Sequence, residues 1–134
     1  MRAALLLTLL AAPAHAACQG DTVFSCRIGA KLLEVCHSGD TLTYAFGPEG
    51  RPELALSQPL QTVAFTPWPG IGSEIWETVA FPSQDHVYEV WTSVRRDPEA
   101  TYGLRGGVSV LKGEELVVQL VCDPGTPSQS LDVI

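Results

Sequence analysis

The sequence predicts an all-β fold: a small antiparallel β-barrel or sandwich of about eight or nine strands, stapled by disulfides. Three observations carry this. Apolar residues recur with period two almost throughout, as half-buried strands require. Turn residues interrupt them at the short spacing of a sandwich or barrel. Four cysteines, Cys18, Cys26, Cys36 and Cys122, give an even count in a small chain, which reads as two bridges.

The elements follow in order. "TVFSCRI" (22–28) sets Phe24, Cys26 and Ile28 on one face. After a turn at Gly29-Ala30 comes "KLLEVC" (31–36), and "TLTYAF" (41–46) turns Leu42, Tyr44 and Phe46 inward. "GPEGRP" (47–52) is turn chemistry. Short strands "ELALS" (53–57) and "LQTVAFT" (60–66) surround Gln58-Pro59. "SEIWETVAF" (73–81) and "HVYEVWTSV" (86–94) flank "PSQD" as a hairpin. "GVSVLK" and "EELVVQLVC" pair across Gly113-Glu114, with Leu116, Val118, Leu120 and Cys122 on one face. Meander connections this short need no crossover helix.

The first residues have the form of a secretory signal. Arg2 is the positive n-region, Ala3 to Ala12 is an apolar run, and Ala14-His15-Ala16 is an A-x-A cleavage site. The expected division is a signal peptide over 1–16, one β-domain over 17–122 and a loose Pro/Ser-rich tail over 123–134. His15 stands where a lipobox needs an apolar residue, which argues against lipidation at Cys18. No second apolar run approaches the roughly 20 residues of a transmembrane helix. The expected location is periplasmic or secreted.

The whole chain carries a net charge of −7, and loss of Arg2 with the leader brings it to −8. That argues against nucleic acid or anionic membrane as a partner and permits a basic protein. For the bridges, hairpin proximity suggests Cys26–Cys36, leaving Cys18–Cys122 to join the first strand to the last. Zinc is disfavoured because there is no C-x-x-C pair and His37 and His86 lack a ligand frame. No metal or cofactor is expected.

No catalytic constellation emerges, so the protein reads as non-enzymatic. His37, Ser38 and Asp40 stand too close together to orient as a triad. Glu74, Glu77, Asp85 and Glu89 cluster on one hairpin, and solvated surface acids are the simpler reading. "GLRGG" does not lie between a strand and a helix, so it is no phosphate loop.

Two connections are candidate binding elements, because long ordered loops on a rigid β-scaffold are where binding usually sits. One is "TPWPGIG" (66–72), with Ser73 after it. Pro67 and Pro69 restrict the backbone around Trp68, while Gly70 and Gly72 admit positive φ. Trp68 either plugs the barrel end or faces a partner as an anchor; the scarcity of lone exposed Trp in small monomers favours the plug. The other is "RRDPEATYGLRGG" (95–107), with Arg95, Arg96 and Tyr102.

Taken together, "FSC", "VC", "LTYAFG", "PEL", "GGVSV" and "LVC" resemble a group of small, exported, uncharacterised proteobacterial β-proteins. Size, export, β-content and cysteines are more distantly similar to the periplasmic and membrane-bound lysozyme inhibitors. That resemblance implies a loop, carrying Ser-Gly and a nearby aromatic, inserted into the lysozyme cleft. Here the corresponding stretch is "GIGSEIW" (70–76), with Gly72-Ser73 in the reverse order and Trp76 as the aromatic. It implies an exported binding protein that inhibits a basic wall-degrading enzyme. The alternatives are an envelope-maintenance protein and a small hydrolase with an unrecognised site.

Overall fold

The computed structural model describes residues 18–100 and 103–131. The segment expected to be a signal peptide, 1–16, lies outside these residues, as does Tyr102. Among the described residues, ten strands form two five-stranded antiparallel sheets. The first has the order β10-β1-β2-β3-β4, from β1 (Asp21–Ile28), β2 (Lys31–Ser38), β3 (Thr41–Pro48), β4 (Leu54–Pro59) and β10 (Ser128–Gln129). The second runs β5-β6-β7-β8-β9, from β5 (Ala64–Thr66), β6 (Glu74–Ser83), β7 (His86–Arg95), β8 (Arg105–Lys112) and β9 (Glu115–Val121). The architecture is a sandwich. No helix among the described residues is long and apolar enough to cross a membrane.

The period-two reading places the core. Phe24, Cys26, Leu33, Val35, Leu42 and Tyr44 from the first sheet meet Val79, Phe81, Val90 and Val108 from the second, all buried. Tyr44 lies at the centre, its ring 5.6 Å from those of both Phe81 and Tyr88. Close packing also fixes Gly107. A Cβ there would stand 2.1 Å from the Leu120 carbonyl oxygen and 3.0 Å from the Trp91 ring.

Two strand ends differ from expectation. β4 runs on through Gln58-Pro59, and the next strand shortens to β5 because residues 59–63 form a turn. The N–H groups of Thr62 and Val63 both donate to the Pro59 carbonyl. In β9, the register slips between Val110 and Leu111, so that Val118 faces Val110 but Leu116 faces Leu111. This bulge inserts Val117 and removes Leu116 from the face of Val118 and Leu120.

The disulfide pairing is the main correction. The bridges are Cys18–Cys36 and Cys26–Cys122, instead of Cys26–Cys36 and Cys18–Cys122. The tight turn at Gly29-Ala30 sets Cys26 opposite Leu33 and Cys36 opposite Thr22. Three residues of strand, roughly 10 Å, therefore separate Cys36 from the residue facing Cys26, beyond disulfide reach. The two side chains also point to opposite faces. Cys26 turns inward and meets Cys122 where the chain crosses from one sheet to the other. There the Cys122 N–H donates to the Gly106 carbonyl, and the Asp123 N–H donates to that of Arg27. Both bridges fit an oxidising, extracytoplasmic environment.

The segment after Cys122 is not a loose tail over its described part. The Arg27 N–H donates to Thr126 Oγ1, the Gly29 N–H to Asp123 Oδ2, and the Ser130 N–H to the Val23 carbonyl. β10 pairs with β1 through Phe24↔Gln129 and Ser25↔Ser128, and Leu131 is fully buried in the core. Its Pro and Ser residues serve to cap an otherwise open sheet edge. Residues 132–134 lie outside the described set.

Glu34, on the outer side of β2, is buried although charged, and its Oε1 has no hydrogen-bond partner. Leu32, Ala45 and the 47–52 turn line the small hollow around it. Burial raises its pKa above the ordinary carboxylate value, and the nearby charge of Glu49 adds to the effect. The folded state then binds this proton more tightly than the unfolded chain does. Stability falls as pH rises from the unfolded value of about 4.5 through the higher folded one. Glu34→Gln should therefore exceed wild type in urea midpoint at pH 7, and the gain should vanish below the unfolded value. An equal gain at both pH values would show that ionisation is not the cause.

Candidate binding loop

The connection from β5 to β6, residues 67–73, leaves the sheet at Pro67, which offers no ladder donor. It returns at Glu74. Gly70 and Gly72 take φ of 87° and 97°, a region that costs other residues strain. They fold the loop back far enough for the Trp68 Nε1–H to donate to the Ile71 carbonyl at 2.9 Å.

Arg96 fastens this loop to the end of β7. Its guanidinium lies 5.1 Å from the Trp68 ring centroid, a cation–π contact. Its Nη1 donates to the Gly72 carbonyl at 3.1 Å, and its backbone N–H donates to the Ser73 carbonyl at 3.0 Å. Beside it, Arg95 pairs with Glu74 in the β6–β7 register, and Ser93 Oγ donates to Glu74 Oε2 at 2.6 Å. Trp68, Gly70, Gly72, Ser73, Arg95 and Arg96 are thus brought to one end of the second sheet.

Trp68 is half-buried, outside the core cluster. It is neither the barrel plug nor a free anchor, but an internal brace of the loop. The side chain that projects is Ile71, 73% exposed and the most exposed large apolar residue among those described. Ile75 and Trp76, at the start of β6, are also exposed. Trp68 is the bulkier side chain of the loop, but Ile71 is flanked by Gly70 and Gly72, which have no side chains to cover it.

The other candidate groups do not converge. The His37 Nε2–H donates to the Gly39 carbonyl within its own turn. Asp85 sits at the far hairpin end, away from Glu74. The hydrogen bond from His86 is the main reason its carboxyl lies below the usual range, and Lys112 stands 3.6 Å away. No group of three His, Cys, Asp or Glu among the described residues is placed to hold a metal ion. Comparison with family models, curated proteins and solved structures gives no match.

Proposed function

We propose that the protein is an exported, non-enzymatic binding domain, periplasmic or secreted, that grips a basic protein with the 67–73 loop. The observation that carries this is Ile71, held out at 73% exposure on a loop already closed by Trp68 and Arg96. A pre-ordered loop has little freedom left to lose on binding. Such a projecting apolar side chain fits a cleft in the partner. The chain's net charge of −7 favours encounter with a basic surface, and Asp97 and Glu99 are exposed just after Arg96. A wall-degrading enzyme such as a lysozyme meets both requirements.

The test is lysis of cell walls by several lysozyme types, followed by turbidity, with and without the mature protein at low and moderate salt. Inhibition should weaken as salt rises. Ile71→Asp should weaken binding by about 2 kcal/mol, the scale of an interface hot spot, while leaving stability within about 0.5 kcal/mol. Trp68→Ala should cost about 1–2 kcal/mol of stability, the sum of one cation–π contact and one hydrogen bond, and loosen the loop. No inhibition of any type at micromolar protein would favour the envelope-maintenance role.

A further inference from the structure

The four sheet edges are treated unequally. β10 is two residues long and belongs to the segment that caps β1. β5 is three residues long and is followed by Pro67, while β4 ends on Pro59 and approaches β6. β9 is different. It is a seven-residue edge strand without Pro or Lys, and Leu116, Val117, Val118 and Val121 are 42–53% exposed along it. Pro and Lys are among the features that blunt natural edge strands, and β9 has neither; its one bulge lies near its start, at Val117, and leaves Val118 to Val121 in regular register with β8.

The two ends of this edge carry different charges, with two carboxylates at its start and, at its finish, a guanidinium near the Asp123 carboxylate, which accepts from the Gly29 N–H. Glu114 and Glu115, both exposed, stand at its start. At its finish Arg105 lines a cavity of about 460 Å³ together with Val121, Cys122 and Asp123. The Arg105 guanidinium has no partner among the described residues. We infer that β9 pairs antiparallel with β9 of a second copy, joining two five-stranded sheets into one. Antiparallel alignment about the middle of the strand carries the Gly113-Glu114 turn of each copy to the Arg105 cavity of the other. A parallel alignment would instead set Glu115 against Glu115. The contact is isologous, so it closes at the dimer. It uses the edge of the second sheet opposite β5, and it stands whether or not the 67–73 loop binds a lysozyme.

Sedimentation of the mature, disulfide-bonded chain over a range of micromolar concentrations tests this. The expected species is a dimer. Arg105→Glu alone, and Glu114→Lys with Glu115→Lys, should each weaken it by roughly tenfold or more. Combining the two charge reversals should restore it, which a merely destabilised fold would not do. Val121→Lys should give monomer with an unchanged urea midpoint. A monomer at every concentration overturns the inference, as does a dimer indifferent to Arg105→Glu and Val121→Lys. Failure of the combined reversal to rescue association overturns the antiparallel alignment.

Discussion

Cys26→Ala/Cys122→Ala should lose about 4–5 kcal/mol of stability, against about 3 kcal/mol for Cys18→Ala/Cys36→Ala. The ordering follows from chain entropy. The first bridge spans 96 residues of sequence and the second 18, and the longer loop restricts the unfolded chain more. Location acts in the same direction. Cys26 and Cys122 are both buried and tie β1 to the strand end that follows β9, so the bridge links the two sheets. Cys18–Cys36 only secures the entry of the chain on the outer side of β2. Urea unfolding of both double variants, alongside non-reducing peptide mapping of the wild type, checks the claim. Equal losses would contradict the loop-length ordering and leave the inter-sheet bridge with no advantage over the outer one.

Tyr44→Ala should destabilise the fold by about 3–5 kcal/mol, the range for removing a large buried aromatic. Tyr44 is 1% exposed and is the contact point between β3 and the β6–β7 hairpin. Its loss removes two ring contacts and leaves a cavity between the sheets that neither Phe81 nor Tyr88 can fill without leaving its own strand position. Tyr44→Phe keeps the ring and should stay within about 1.5 kcal/mol of wild type. Thermal or urea unfolding separates the two. A small effect of Tyr44→Ala would mean that the sheets are held together chiefly by the disulfide.

The β-pattern was legible because a half-buried strand writes its inward face at every second position. Phe24, Cys26, Leu42 and Tyr44 are placed on inward faces on that ground, and all four are buried. Hairpin turns were legible for the same local reason. The disulfide pairing required one more step. The Gly29-Ala30 turn already excludes Cys26–Cys36, since it sets Cys26 opposite Leu33, but choosing between the two remaining pairings needs the other sheet. β10 was hidden because two residues carry no periodicity, and Ser128 and Gln129 read as loop. Strand alternation puts Glu34, between the inward Leu33 and Val35, on the outer face of β2. Its burial comes from the 47–52 turn folding over it, a contact with no local signature. At the candidate loop, the prolines and glycines marked a stiff connection. They could not show that Arg96, from a different strand end, would occupy the face of Trp68 and leave Ile71 as the projecting side chain.

The most direct test of the binding claim is site-specific photo-crosslinking. A benzophenone side chain replaces Ile71 in the full chain, expressed in cells that export it, with the exposed position Arg51 as the control. The binding reading predicts one dominant crosslinked product from position 71 containing a basic wall-degrading enzyme, absent from position 51, and lost in Arg96→Ala, where the loop is no longer fastened. No product from position 71, or the same products from both positions, would contradict it.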